Sequence, residues 1–328
     1  MSVPKRLAIV GLGGWATSMH LPACRLIQEA GKACYCGLCD CDEAKARQAA
    51  ALLGGTAYTD LERMLQAEKP DGLVILVKPD VTPRLIELAI ARQLPFLTEK
   101  PPSTSIQVHR RLMEAAGALP HVIAYNRRFT PYMGKARAWL QDRPLQTVEA
   151  TFCRFRRLEA DFTGTAVHGI DAVLFLAGGC LAEARLEMVR KDAVRNLFLT
   201  AWTRENCRIQ LVVAPDSAFT TEEYVVRSTS RNARIEHPWQ GRDPGRVCLY
   251  EDDRLCQDHS ARDFGLAVDD WPTLCGIRAE HENFIDLLEG TQPALATLQD
   301  TLHTQIIREA FGDLPSRKAR HVVEIPFS

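Results

Sequence analysis

Apolar runs and amphipathic stretches alternate through the first part of the chain. Lys5 to Val10 reads as a short buried parallel strand, and Ala33 to Cys39 as a second. Asp71 to Val77 is a third strand, Thr82 to Arg92 a helix, and Pro95 to Thr98 a further strand. Ser103 to Ala116 reads as another helix, and His121 to Tyr125 as the last strand of this region. Strands alternating with helices imply a doubly wound parallel sheet of the Rossmann type. Beyond it the pattern changes. Cys207, Ile209, Leu211 and Val213 alternate with Arg208 and Gln210, as on a half-buried strand. Similar runs occupy Gln146 to Arg156, Asn196 to Trp202, Tyr224 to Ser228 and Arg246 to Tyr250. Near the end Leu298, Leu302, Ile306 and Ala310 recur every four residues, marking one face of a helix.

The first strand runs into Gly11-Leu12-Gly13-Gly14-Trp15-Ala16, a G-x-G-x-x-A turn. Gly11 suits the tight turn, Gly13 lets backbone approach a pyrophosphate, and Ala16 permits close helix–strand packing. The following helix points its N-terminal amides at the phosphates. An acidic residue is expected at the tip of the second strand, and Asp40 stands there. Its carboxylate can accept both ribose hydroxyls and would repel a 2′-phosphate. Cys41 follows it, not an arginine, so NAD is favoured over NADP. Asp40 can equally cap the helix of Glu43 to Leu53, and the two roles are compatible.

At 328 residues two domains are the natural expectation, here 1–123 for the dinucleotide-binding part and 124–328 for the remainder. Lys+Arg (40) and Asp+Glu (41) nearly cancel, which speaks against a nucleic-acid or anionic-membrane partner. No apolar stretch is long enough to span a bilayer, and the N-terminus passes straight into a strand pattern without a signal peptide. A cytoplasmic location is expected. The eleven cysteines are then reduced thiols. Cys34, Cys36, Cys39 and Cys41 cluster, yet their spacing is not that of a zinc ribbon. A buried strand using cysteine as a small apolar residue is the preferred reading, and no metal is expected.

At Thr98-Glu99-Lys100-Pro101 the chain resembles the Gfo/Idh/MocA oxidoreductases. The resemblance also rests on Gly11 to Ala16 with His20-Leu-Pro-Ala23, Asn126-Arg-Arg-Phe129 with Pro131, and His168-Gly-Ile-Asp171. Phe284 to Gly290 and Ala296 to Ala310 resemble the family's closing helices. It implies a C-terminal α+β domain on an open, mainly antiparallel sheet, often an oligomer interface; a homodimer or homotetramer is expected. The strands also read as too apolar on both faces to stand in water, which points the same way.

The resemblance places Lys100 beside the nicotinamide, bonded to the reacting hydroxyl, where an ammonium would stabilise a developing alkoxide or act as an acid. Gly14, Trp15, Glu99, Lys78-Pro79 and Asn126 are expected around the cofactor. His168 is the acid–base candidate. Thr165 as N-cap would put His168 in the first helical turn, where the dipole favours a neutral base. Asp171, three residues on, shares its face. Arg127 and Thr165 are candidate substrate contacts, with Arg128 a similar case. Arg154, Arg156 and Arg157 fit either an anion site or, preferably, the solvated face of a strand. One departure stands out: the family commonly carries an Asp four residues before the histidine, and here that place is Gly164. Asp161 is near in sequence. The first expectation is an NAD(P)-dependent dehydrogenase for a hydroxyl of a sugar, cyclitol or similar small polar molecule. The alternatives are an enzyme using tightly bound NAD transiently for net hydrolysis, elimination or epimerisation, and a non-catalytic dinucleotide sensor.

Overall fold

The computed structural model describes residues 3–157, 162–191, 194–239, 243–314 and 320–327. It divides into two compact units, Met1–Phe129 with Gly276–Leu302, and Thr130–Cys275 with His303–Ser328.

The first unit is built on six parallel strands: β1 (Lys5–Val10), β2 (Ala33–Cys39), β3 (Thr56–Tyr58), β4 (Gly72–Ile75), β5 (Phe96–Glu99) and β6 (His121–Ala124). Their order is β3-β2-β1-β4-β5-β6, so the direction of winding reverses beside β1. Ligands of such sheets bind beyond the strand C-termini at that reversal, and the glycine turn leaves β1 there. The central strands are buried on both faces, which is why they read as unbroken apolar runs. β3 is only three residues long and carries no such run, and the helix after it, Leu61–Glu68, is also absent from the sequence reading.

The helix Ile277–Glu289 completes this unit although it lies far along the chain. Phe284 and Ile285 join the core formed by Leu7, Ile9, Val74 and Leu97. A Cβ on Gly72 would lie 2.7 Å from the Phe284 ring, so the glycine allows that close approach. Ile123 donates its amide to the Ala296 carbonyl, which ties residues after this helix to β6.

The second unit carries nine strands: β7 (Leu145–Cys153), β8 (Leu181–Lys191), β9 (Val194–Thr203), β10 (Arg208–Ala214), β11 (Thr221–Ser228), β12 (Arg231–Glu236), β13 (Arg246–Glu251), β14 (Arg254–Ser260) and β15 (Arg320–Pro326). The order is β14-β13-β12-β11-β7-β10-β9-β8-β15. Among the described residues, only the β7–β10 pairing of this sheet is parallel. One face, with Val148, Phe152, Leu199, Leu211, Tyr224 and Ile235, is buried beneath the helices Thr163–Ala177 and Pro131–Leu140. The opposite face is not apolar throughout, contrary to the sequence reading. Over β11 to β14 it bears ion pairs of Arg227 with Glu149, Arg234 with Glu223, and Arg246 with Asp258, whereas Arg231, paired with Glu251, lies on the helix-covered side over the Trp139 ring.

The last helix is Leu302–Asp313, shorter at its start than the expected Ala296 to Ala310. Its buried face carries Thr304, Gln305, Ile307, Arg308 and Phe311, whereas Leu302, Ile306 and Ala310 are half-buried. The period was legible, but the face was not the one marked by the aliphatic residues.

Candidate functional site

Gly11 holds φ +91°, and a Cβ there would lie 2.6 Å from the Leu76 carbonyl oxygen. The protein itself therefore demands glycine at this point. Gly13 and Gly14 differ: a Cβ on either would meet no protein atom within 4 Å, and both are exposed. The fold itself sets no limit on residue size there, whereas an approaching pyrophosphate would. Asp40 closes the turn from the end of β2. Its carboxylate accepts the Leu12 amide at 2.7 Å and the Asp42 amide at 2.9 Å. Burial pushes this carboxyl up, but those amides, Cys41 and Lys45 outweigh it and hold it below its usual range. Asp40 does not cap the following helix. Asp42 does, accepting from Ala44 and Lys45. A glycine turn with open space before it and an ionised carboxylate at the strand tip fit a dinucleotide.

The helix leaving the turn contains one wide π-helical segment, Ala16–His20, where the Leu21 amide bonds the Ala16 carbonyl. Such a segment displaces side chains from the regular helical phase. It accompanies a half-exposed Trp15 (48%) and a fully buried His20. Both reach Glu99, at the end of β5. Oε1 of Glu99 accepts the Trp15 indole N–H at 2.9 Å and lies 2.9 Å from His20 Nε2. Its Oε2 accepts the Lys100 amide at 3.0 Å. Burial alone would raise the Glu99 carboxyl, but His20, Lys100 and Trp15 bring it below the usual carboxylate range. Lys100 is half-buried, and its bond to Pro101 is cis. Gly11, Gly13, Gly14, Trp15, Ala16, Asp40, Glu99 and Lys100 thus all belong to one unit, most within two steps of the turn.

Other expected residues of this unit divide. Asn126 is buried, with its Oδ1 accepting from Arg127 Nη1 at 3.0 Å. Arg128 instead donates to the Leu295 and Asp300 carbonyls, which makes it a strut for the chain after the helix Ile277–Glu289. Lys78 is exposed, and its carbonyl accepts the Thr82 amide and hydroxyl, holding the start of the helix Thr82–Ala91. Pro79 is half-buried in the same turn. The four clustered cysteines are free thiols along and just past β2; burial pushes Cys36 and Cys39 up to about 11.

In the second unit His168 and Asp171 lie on the helix Thr163–Ala177, both buried. The helix begins at Thr163, with Phe162 as its N-cap, so Thr165 is not the cap and His168 sits beyond the first turn. The proposed dipole effect on His168 is correspondingly weaker, since it fades within the first turn. Thr304 Oγ1 donates to Asp171 Oδ1 at 3.1 Å. Thr165 accepts from Arg157 at 3.4 Å. Asp161 falls outside the described residues. Arg156 and Arg157 are exposed past the end of β7. Arg154 corrects the sequence reading: it is fully buried, paired with Glu222, and clasped between the rings of Phe152 at 3.7 Å and Trp239 at 4.4 Å.

His20, part of the His20-Leu-Pro-Ala23 motif, is joined here by Glu280 and His281, which no motif in the sequence singles out. His281 Nε2 lies 2.9 Å from His20 Nδ1, and both Glu280 and His281 are fully buried. A signal was present. Ile277, Glu280, His281, Phe284 and Ile285 occupy the apolar phase of one helix, and two of the five are polar.

Residues 5–126 match the profile of the Gfo/Idh/MocA family, described as an oxidoreductase family with an NAD-binding Rossmann fold. No curated protein matches the chain by sequence. Among solved structures, a dehydrogenase from Chromobacterium violaceum is similar with TM-score 0.83 at 16% identity, over 94% of each chain. An NAD binding oxidoreductase from Klebsiella pneumoniae is similar with TM-score 0.79 at 16% identity, over 100% of each. A UDP-N-acetylglucosamine 3-dehydrogenase from Acidithiobacillus ferrooxidans gives 0.76 at 17% identity, over 94% of this chain and 96% of that one. At such identities the structural likeness speaks to the fold.

Proposed function

The dinucleotide-binding unit of this chain belongs to the Gfo/Idh/MocA oxidoreductases, and from that premise we propose an NAD-dependent dehydrogenase acting on a hydroxyl of a sugar-like molecule. The observation that carries this reading is the open space at Gly13 and Gly14 beside the Trp15–Glu99–Lys100 edge. NAD is favoured over NADP because Asp40 is held ionised at the strand tip with no arginine next to it. When bound, the dinucleotide supplies a hydride acceptor or donor for the carbon bearing the hydroxyl. The chain supplies the rest. The Lys100 ammonium is assigned to the substrate oxygen, where it stabilises developing negative charge. In the second unit, His168 is assigned the hydroxyl proton, and Asp171, fixed by Thr304, orients the substrate or the imidazole. Arg127 and Thr165 are the proposed substrate contacts, and Asn126 a cofactor contact.

Calorimetry tests the cofactor site: NADH should bind the wild type and fail to bind Gly13→Val, whose side chain fills the open space without disturbing the fold. Retained binding in that variant would contradict the placement. The eleven free cysteines suit the reducing cytoplasm. Assembly through the outer face of the β7–β10 region, where Phe198, Trp202 and Val212 stand half-exposed, would give a dimer or tetramer. Light scattering showing a monomer at micromolar concentration would rule that out.

Gly164 favours a second reading, transient use of bound NAD in a net non-redox reaction. A Cβ at Gly164 meets nothing within 4 Å, so Gly164→Asp fits the space. It also replaces a glycine near a helix N-terminus, which should add about 1 kcal/mol of stability. Gained polyol dehydrogenase activity in that variant supports the dehydrogenase reading, and loss of the native activity supports the second.

A further inference from the structure

Behind Glu99 lies a line of buried groups that the glycine turn does not need. His20, Cys24, Glu280 and His281 are all fully buried. An ionised carboxylate only accepts hydrogen bonds, so the His20 nitrogen 2.9 Å from Glu99 brings its hydrogen, on Nε2. In a neutral ring the other nitrogen, Nδ1, then presents a lone pair. It faces His281 Nε2 at 2.9 Å, so His281 carries its hydrogen on Nε2. His281 Nδ1 is left as an acceptor, 3.9 Å from Cys24 Sγ. Burial pushes the Cys24 thiol up to about 12, so it retains the hydrogen to donate. Every hydrogen runs one way, from Cys24 through His281 and His20 to Glu99.

His20, His281 and Glu280 also bring three ligand-type atoms within 4.8 Å of one another. A zinc ion with Zn–N bonds of about 2.0–2.1 Å in tetrahedral geometry spaces its nitrogens by roughly 3.3 Å. The 2.9 Å His20–His281 separation is that of a shared hydrogen. Glu280 Oε1 stands 3.9 Å from His20 Nδ1, and neither Glu280 oxygen has a hydrogen-bond partner among the described residues. Burial and the charge of Glu99 push the Glu280 carboxyl up, against the opposing pull of Arg127 and Lys100.

We propose that His281 is a positioning residue: by donating to His20 it fixes that ring's tautomer, and through it holds Glu99 as the acceptor that anchors Trp15 and the Lys100 backbone. The inference rests on the assignment of Lys100 only for its effect on turnover. ¹⁵N-histidine NMR tests the tautomers without any substrate, with His281 assigned through its loss in His281→Gln. Both His20 and His281 should carry hydrogen on Nε2 and none on Nδ1. Hydrogen on Nδ1 of either ring, an imidazolium, or stoichiometric zinc in the purified protein would overturn the proposal. A second measurement follows the ¹⁹F resonance of 5-fluorotryptophan at position 15, assigned by Trp15→Phe. His281→Leu should shift that resonance and lower kcat about tenfold, the size of one buried hydrogen bond, with NADH affinity within about twofold. His281→Gln, which keeps an N–H near the Nε2 position, should restore both. An unmoved Trp15 resonance in His281→Leu would overturn it even if the dehydrogenase reading stood, and a shifted resonance would support it even if that reading fell.

Discussion

The two units each bury a cluster of charge, and the clusters are built differently. In the second unit Arg154 and Glu222 pair directly, the guanidinium lies between two aromatic rings, and Tyr224 donates to Glu222 at 3.1 Å. The cluster neutralises itself, and both charged side chains are about 1% exposed. In the first unit Glu99 has histidines behind it and Trp15 and the Lys100 amide before it, with Trp15 half-exposed at the open glycine turn. That cluster has a sealed end and an open end. Burial of charge is therefore a poor marker of function by itself. What distinguishes the Glu99 cluster is that its hydrogen bonds end on groups able to meet a ligand.

The contrast can be broken most forcefully at Arg154. Arg154→Met strands Glu222 without its partner and should cost about 3–5 kcal/mol of stability, read by denaturant unfolding. NADH affinity of the folded fraction should be unchanged. A stability change below about 1 kcal/mol would mean the pair is not the sealed structural cluster described above.

A smaller effect is expected at the open end. Asp40→Ser with Cys41→Arg removes the carboxylate and supplies a partner for a 2′-phosphate. The ratio of NADH to NADPH affinity should fall by about ten- to a hundredfold, as for one or two charge-assisted hydrogen bonds. An NADPH preference already present in the wild type would show that Asp40 does not read the ribose.

The smallest effect concerns pH. Glu280 ionises near its ordinary value of 4.5 when unfolded and keeps its proton to higher pH when folded. It therefore lowers stability progressively as pH rises above that value. Glu280→Gln should match the wild type near about pH 4 and exceed it at about pH 8. Asp40 and Glu99 run the other way: their folded values lie low, so their contribution is complete above the ordinary carboxylate range and lost as pH falls. A Glu280→Gln variant less stable than the wild type at about pH 8 would show that the carboxylate is ionised and paired.

Much of the first sheet was legible because doubly buried strands must be apolar along their length. β3 escaped because three residues cannot establish a period. In the second unit β8 escaped for another reason. Its residues, Leu181 to Lys191, are rich in Ala, Glu, Leu, Arg and Met, which favour helix, yet pairing with β9 and β15 holds them extended. Arg154 misled because its charge argued for solvent, although the alternation of buried Val148, Ala150 and Phe152 continues onto it just past the end of β7. The glycine turn, Asp40, Glu99 and Lys100 were legible because their spacing is dictated by one strand–turn–helix geometry. Glu280 and His281 were missed although they share the apolar phase of Ile277, Phe284 and Ile285, because their partner His20 lies some 260 residues away in the chain.

Reduction of bound nicotinamide in single turnover tests the dehydrogenase reading most directly. NAD-loaded protein is mixed with a panel of sugars, sugar acids, cyclitols and nucleotide sugars, and reduced nicotinamide is followed by its absorbance. At least one compound should reduce the wild type stoichiometrically. Lys100→Met should bind NAD with unchanged affinity and react about 10²–10⁴-fold more slowly, equivalent to roughly 3–5 kcal/mol of lost transition-state stabilisation. Equal rates in Lys100→Met and wild type, with NAD bound to both, would contradict the account.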